Sequence, residues 1–196
     1  VDTKIPRWLM GSQKGWVTAE YGMLPRSTHE RMRREAAVGK IGGRTSEIQR
    51  LIGRSLRSVV DLGLLSEKLI TIDCDVLTAD GGTRTAAITG GFVALKSCID
   101  HLLRKKEIKS SPIQQYVGAV SCGILNGKIL LDLDYSEDSN AEIDANFVIT
   151  ENMQLVEIQA TGEKKTFSDQ DLSEMLKESK EAIKKIIQLQ KSCFEK

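Results

Sequence analysis

The chain has little of several features that would narrow its class. Its four cysteines, Cys74, Cys98, Cys122 and Cys193, are widely spaced, form no CxxC pair and lie in apolar runs. A chain of this size buries about 70% of its unfolded surface, so it needs no disulfide or zinc staple, and the cysteines are expected to pack as small hydrophobes. No apolar run reaches the roughly 18–20 residues of a membrane span, and no signal peptide opens the chain. We therefore expect a soluble, cytoplasmic protein.

Helices are predicted where apolar residues recur at helical spacing. This spacing runs from Ile48 to Val60, where Thr45 or Ser46 is the expected N-cap. An apolar helix is predicted after Thr85, and a last helix over residues 168–191, with a serine cap and acids in its first turn.

Strands are predicted where apolar and polar residues alternate. The predicted strands run from Leu69 to Leu77, Val117 to Ile124, Lys128 to Asp134, Asn146 to Thr150 and Leu155 to Ala160. Asn126-Gly127 is a strong hairpin signal, because both turn residues need positive φ. No internal repeat or low-complexity linker divides the chain, so we expect a single α+β domain over residues 1–196.

The net charge of +1 gives no global indication of a nucleic-acid partner, but the charge is unevenly distributed. Residues 26–57 contain nine Lys or Arg against three acids, a charge of +6. Residues 132–151 contain seven acids and no Lys or Arg, a charge of −7. A basic segment that holds phosphates and an acidic segment that holds a metal would explain the pattern, and so would two solvated faces.

Two glycine pairs stand beside an arginine at the start of a predicted helix. They are Gly81-Gly82-Thr83-Arg84-Thr85 and Gly42-Gly43-Arg44-Thr45. Glycines let backbone N–H groups approach an anion, a helix N-terminus adds partial positive charge, and an arginine grips phosphate with two hydrogen bonds. Neither is a Walker loop, because the spacing and the Lys-Ser/Thr ending are absent. The alternative is two ordinary turns with surface arginines.

Closely set acids and arginines supply the other candidates. The acids are Asp132, Asp134, Glu137, Asp138, Glu142 and Asp144. Magnesium takes one or two carboxylates and relies on waters and substrate phosphates for the rest, and a bend would deliver Asp138 and Asp144 to one point. The loop from Arg26 to Arg34 carries arginines that suit phosphate contacts along a single strand. His29 lacks a nucleophile motif beside it, and we interpret it as a surface residue.

These runs resemble ribonuclease PH, a family of phosphorolytic 3′→5′ exoribonucleases. The resemblance extends from Val1 to about Gln190, and its motifs follow the family's order. The motifs are GWVTAEYGMLPRST (residues 15–28), GGRT (42–45), EIQRLIGR (47–54), DCDVL (73–77), DGGTRT (80–85) and DLDYSED (132–138).

The resemblance implies a fold like the second domain of ribosomal protein S5, with helices packed on a mixed sheet. It assigns binding of the attacking inorganic phosphate to Arg44, Gly82, Thr83 and Arg84, catalysis and Mg²⁺ binding to Asp138 and Asp144, and RNA contact to Arg26, Arg31 and Arg34. The implied reaction is phosphorolysis of RNA 3′ ends, mainly in tRNA and also in rRNA processing, with release of nucleoside diphosphates. The implied assembly is a homohexamer built as a trimer of dimers.

Family members are expected to carry several dozen residues before the position of Val1, including opening strands of the sheet. We therefore expect an N-terminally incomplete domain whose unpaired edges cause poor solubility and broken ring assembly.

Other functions stay open at this point. A non-catalytic RNA-binding subunit of an exonuclease-type ring would have no need of the phosphate and metal residues. A hydrolytic, metal-dependent nuclease would release monophosphates. A small-molecule phosphotransferase would leave the arginine loop unexplained.

Overall fold

The computed structural model describes residues 1–195. The elements in chain order are β1 (Trp16–Met23), α1 (Glu35–Val38), α2 (Gly43–Arg57), β2 (Leu69–Val76), α3 (Thr83–Arg104), β3 (Val117–Leu125), β4 (Lys128–Leu131), α4 (Tyr135–Asn140), β5 (Ile143–Thr150), β6 (Leu155–Gly162) and α5 (Asp169–Ser192). They form two compact units, the first from Val1–Thr78 and Gly90–Tyr116, the second from Ala79–Thr89 and the chain from Val117 on. That residues 1–196 act as a single folding domain stays a prediction.

The first unit is built on a parallel strand pair. β1 pairs with β2 in a continuous register from Trp16 opposite Leu69 to Met23 opposite Val76. Helix α2 lies close to β1, since a Cβ added to Gly53 would lie 3.7 Å from the Cα of Thr18. Strand β1 was not predicted from the sequence, although Val17, Ala19 and Tyr21 are buried in alternation along it.

The start of α2 differs from the predicted cap. The helix begins at Gly43 with Gly42 as its N-cap, and within residues 1–195 no side chain donates or accepts a capping hydrogen bond there. The predicted caps Thr45 and Ser46 therefore lie inside the helix. The Thr45 hydroxyl instead donates to Glu35 Oε1 at 2.8 Å. The reason is that the glycine pair lets the helix begin one turn earlier than its apolar pattern.

The second unit is a four-stranded antiparallel sheet in the order β4-β3-β5-β6. Helix α5 packs on one face, where a Cβ on Gly118 would lie 3.2 Å from Ile186 Cγ2. The turn before α3 contacts the opposite face, because a Cβ on Gly82 would lie 3.3 Å from Ser121 Oγ. The Thr89 hydroxyl accepts from the Ala119 backbone N–H at 3.1 Å, at the edge of β3. The Ser168 cap of α5 is confirmed, and Ser168 and Asp171 form a reciprocal capping box.

Two further expectations concern the strands of this sheet. The hairpin is confirmed, because Asn126 and Gly127 have φ values of 52° and 71°. The strand that was expected to reach Asp134 ends at Leu131. Asp132 then turns the chain with φ of 55°, and Asp134 caps α4, a helix that the sequence analysis missed.

Helix α3 has the length and mean hydropathy of a membrane span, contrary to the sequence prediction. Only the length and the amino-acid composition of α3 agree with a membrane span. Its largest apolar side chains, Ile88, Phe92, Leu95, Ile99 and Leu102, are buried within the protein. A buried stripe at this spacing is typical of the core helix of a globular protein.

Candidate active site

The Gly81-Gly82 turn at the start of α3 requires glycine at both positions. A Cβ on Gly81 would lie 1.9 Å from the carbonyl oxygen of Leu133, so only glycine allows this approach to the neighbouring backbone. Gly82 has φ of +68°, the left-handed conformation that side chains disfavour. The turn therefore places the first N–H groups of a 22-residue helix against the sheet.

Sheet register determines which side chains share the face below this turn. Residues directly opposite each other in antiparallel strands point to the same face. Asp144 in β5 pairs with Gly123 in β3 and Thr161 in β6, and Asn146 pairs with Ser121 and Gln159. Ser121 lies under the turn, since its Oγ would be 3.3 Å from a Cβ on Gly82. The face therefore carries a patch of polar groups beside the start of α3.

Arg84 is fixed against this face. It is half-buried, and its Nη1 donates to Gln159 Oε1 at 3.0 Å. Burial raises the pKa of Asp144, and the positive charge of Arg84 opposes that rise. Arg84 is thus a positive charge in the first turn of α3 that acts on Asp144, the acid that was assigned to catalysis.

Asp144 and Asp138 come from different elements but lie near each other. Burial raises the pKa of Asp144, the negative charge of Asp138 raises it further, and Arg84 opposes both effects. Asp138 is exposed and belongs to α4, which is held by its Asp134–Glu137 capping box. A pair of carboxylates of which one is half-buried is an arrangement that favours binding of a cation.

Helix α4 is joined to the glycine turn by a direct contact. The Tyr135 backbone N–H donates to Asp80 Oδ1 at 2.6 Å, and the Gly81 N–H donates to the same oxygen at 3.0 Å. A single carboxylate therefore connects the helix that bears Asp138 with the turn that precedes Arg84.

The donor set fits magnesium. Within residues 1–195 no group of three or more His, Cys, Asp or Glu side chains is arranged to hold a metal ion. Magnesium does not need such a group, because it binds through one or two carboxylates and takes its other ligands from water and substrate phosphates. The negative charges of Asp138 and Asp144 repel each other, and such an ion would neutralise them.

Arg44 lies in the first unit, near the start of α2. It is exposed, and its Nη1 lies 3.9 Å from Met23 Sδ. A Cβ added to the adjacent Gly43 would have no heavy atom of the described chain within 4 Å. The turn is therefore open beside Gly43, whereas a Cβ on Gly42 would lie 2.9 Å from Glu35 Oε1.

The predicted RNA-binding arginines lie in the same unit. Arg26, Arg31 and Arg34 are exposed, and Arg26 Nη1 donates to the His29 carbonyl at 3.2 Å. The loop is closed by a backbone hydrogen bond from Met32 to Pro25 at 2.9 Å. His29 is exposed, in agreement with its interpretation as a surface residue.

One basic residue of the same segment has a structural role. The Arg57 guanidinium lies over the Trp16 ring, 4.3 Å from its centroid, and Nη1 donates to the Val17 carbonyl at 2.8 Å. Burial lowers its pKa. The count of nine basic residues therefore overstates the charge available to RNA.

The second unit thus brings together Gly82, Thr83, Arg84, Asp138 and Asp144, whereas Arg26, Arg31, Arg34 and Arg44 belong to the first unit. Gln159 and its neighbour Glu157 were not predicted as site residues. The sequence feature that could have revealed them is the alternation of polar and apolar residues in the predicted strand that ends at Ala160. This alternation predicts that the side chains of Glu157 and Gln159 share one face.

Comparison with known proteins identifies the family. Residues 2–99 match the model described as "3' exoribonuclease family, domain 1", and residues 115–182 match domain 2 of the same family. The chain belongs to the 3′ exoribonuclease family. It is 55% identical to the ribonuclease PH of Methylocella silvestris over 193 residues, which are 98% of this chain and 81% of that protein. The resemblance to ribonuclease PH is confirmed, and the chain is a phosphorolytic 3′→5′ exoribonuclease, an enzyme of the nucleotidyltransferase class.

Solved structures with a similar fold have low sequence identity. Rice (Oryza sativa) Rrp46 matches with a TM-score of 0.72 and 18% identity, over 97% of this chain and 78% of that one. A chain of the Archaeoglobus fulgidus exosome with RNA bound to the active site matches with a TM-score of 0.71 and 18% identity, over 93% and 72%. The predicted α+β fold, like the second domain of ribosomal protein S5, is confirmed.

Proposed function

We propose that the chain removes 3′-terminal nucleotides from tRNA precursors by attack of inorganic phosphate. The observation that carries this proposal is the position of Arg84, which is hydrogen-bonded to Gln159 at the start of α3 and whose positive charge opposes the rise that burial causes in the pKa of Asp144. Cationic and anionic groups therefore meet where a phosphate and a metal would be needed together. Joining an anionic phosphate to an anionic phosphodiester requires such fixed charges.

In the proposed reaction, a phosphate oxygen attacks the phosphorus of the terminal phosphodiester. The bond from that phosphorus to the 3′-oxygen of the preceding nucleotide breaks, a nucleoside diphosphate leaves, and the freed 3′-oxygen takes a proton. The backbone N–H groups at Gly82 and Thr83, with the Arg84 guanidinium group, hold and orient the attacking phosphate. Arg44 of the first unit is proposed as a phosphate-binding residue from the resemblance to ribonuclease PH. Positioning of this kind supplies a large part of the rate in phosphoryl transfer.

Asp138 and Asp144 are the residues that we propose hold Mg²⁺. The ion, when bound, would neutralise charge on the scissile phosphate. Of the two acids, Asp144 is the better placed to receive or return a proton, because burial and Asp138 raise its pKa. Calorimetric titration with Mg²⁺ tests the assignment, since Asp144→Asn should lose the binding heat that Asp134→Asn retains.

Arg26, Arg31 and Arg34 are proposed to bind the RNA strand. Their exposure and their position in one loop suit contacts to successive phosphates, which carry no base specificity. The expected preference is therefore for single-stranded 3′ ends.

The decisive experiment uses a 3′-labelled tRNA precursor with Mg²⁺, with and without inorganic phosphate. Phosphate-dependent release of nucleoside diphosphates supports the proposal. Release of monophosphates would replace it with hydrolysis. Binding of RNA without any release would favour a non-catalytic RNA-binding subunit.

We propose further that the protein assembles as a cytoplasmic homohexamer, a trimer of dimers. Large exposed apolar side chains support an interface, since Trp8, Met10 and Leu189 are 67%, 70% and 68% exposed. Light scattering measures the mass directly, and a monomer at micromolar concentration would contradict the proposal. Within residues 1–195 the four cysteines form no disulfide, as expected in a reducing compartment.

A further inference from the structure

Arg84 is a flexible side chain that has to be held in one place to bind phosphate with two hydrogen bonds. In this structure a neutral side chain holds it, because Nη1 of Arg84 donates to Gln159 Oε1 at 3.0 Å. Both residues are half-buried, so solvent competes less with this contact than at an exposed site. A guanidinium has five N–H donors, so the single contact with Gln159 does not use the whole group.

The Gln159 amide is itself oriented by a second residue. Its Nε2 donates to Glu157 Oε1 at 3.2 Å. Glu157 and Gln159 are two positions apart on β6 and therefore point to the same face of the sheet. Because an amide has one donor end and one acceptor end, the contact with Glu157 turns the Gln159 oxygen toward Arg84.

Two properties of the Gln159 side chain suit it to hold Arg84, namely its length and its lack of charge. A carboxylate at this position would also accept from Arg84, but its negative charge would cancel much of the guanidinium charge that an incoming phosphate needs. The amide holds the guanidinium without neutralising it. Glutamine is therefore the side chain that combines length, an acceptor and no charge.

We propose that Gln159 is a positioning residue for the attacking phosphate, oriented by Glu157 and acting through Arg84. This inference rests on the proposed function, in which Arg84 binds the phosphate. It adds a specific role for β6, a strand that carries none of the residues that the sequence analysis assigned.

The test compares the Michaelis constant for inorganic phosphate with kcat. Gln159→Met keeps the length and removes the acceptor, so the KM for phosphate should rise about tenfold while kcat falls less than about threefold. Gln159→Glu should raise the same constant, although it restores an acceptor, because it adds negative charge. Gln170→Met, at an exposed position of α5, is the matched control and should change neither constant.

A binding measurement accompanies the kinetics and does not need turnover. The rise in unfolding temperature caused by inorganic phosphate should be smaller in Gln159→Met than in the wild type. If Gln159→Met unfolds, Gln159→Asn replaces it, because the shorter amide keeps the chemistry but cannot reach Arg84.

The outcomes separate the two proposals. A wild-type chain that neither binds phosphate nor releases diphosphates would overturn the proposed function and this inference with it. A wild-type chain that does both, alongside a Gln159→Met variant with unchanged phosphate KM and unchanged stabilisation by phosphate, would overturn the inference alone. A parallel loss of kcat with no change in the phosphate KM would also contradict it.

Discussion

The two glycine–arginine turns have nearly the same sequence but different surroundings. In the second unit, Gly81 touches the backbone at Leu133, and Arg84 is half-buried and hydrogen-bonded to Gln159. In the first unit, a side chain on Gly43 would meet open space, and Arg44 is exposed. The comparison teaches that the motif alone does not make a rigid phosphate site. The second turn is held by its close contacts with Leu133 and with Ser121 of the sheet.

The largest expected effect is on stability, and it tests how tightly each of the two glycine turns is packed. Gly81→Ala should lower the free energy of unfolding by about 2–3 kcal/mol, because its Cβ would clash with the Leu133 carbonyl. Gly43→Ala should change it by less than about 0.5 kcal/mol, since the added methyl meets no neighbour. Urea unfolding of both variants measures the difference. Equal effects would contradict the claim that Gly81 is packed more tightly than Gly43.

The next effect is on kcat/KM for phosphate, and it tests whether each turn needs a planar guanidinium or only a positive charge. Arg84→Lys should lower kcat/KM for phosphate about 100-fold, because lysine lacks the planar fork that Gln159 and phosphate share. Arg44→Lys should lower it less than about tenfold, since an exposed charge acts with less defined geometry. Steady-state phosphorolysis at varied phosphate measures both. The comparison fails if Arg44→Lys has the larger effect.

A smaller effect is expected for the exposed arginines of the first unit. Replacing Arg31 and Arg34 with alanine should reduce the slope of log affinity against log salt by about 0.7 for each lost phosphate contact. Fluorescence anisotropy with a single-stranded RNA at several salt concentrations measures the slope. Arg104→Ala, an exposed arginine at the end of α3, is the control. An unchanged slope in the double variant would remove RNA contact from the loop.

The smallest effect compares the two acids of the second unit. The folded state raises the pKa of Asp144, so it binds a proton more readily than the unfolded state does. The free energy of unfolding should therefore fall as pH rises from the ordinary aspartate pKa through the raised one. Asp144→Asn should remove this fall, and Asp138→Asn should weaken it by removing a repelling charge. Urea unfolding across that pH window, without Mg²⁺, checks the sign, and a stability that rises there would contradict it.

Local sequence signals predicted much of the fold. The Asn126-Gly127 hairpin and the Ser168 cap were correct because a turn with positive φ and a capping box depend on neighbouring residues alone. Strand β1 and helix α4 were missed. Their identity depends on partners distant in sequence, namely β2 for the strand and Asp80 for the helix. The start of α2 was placed too late, because the glycine pair outweighed the apolar periodicity.

The sequence by itself determined which chemical groups are present, and its motifs led to the family. Arg84, Asp138 and Asp144 could be named as candidates because a glycine turn and paired acids have recognisable spacing. Only the tertiary structure decided that Asp144 is half-buried beside Arg84, and that Gln159, from the last strand of the sheet, accepts a hydrogen bond from that arginine. Such contacts depend on strand register across residues far apart in the chain. Register is set by burial of whole faces and leaves no local signal at the residues that it brings together.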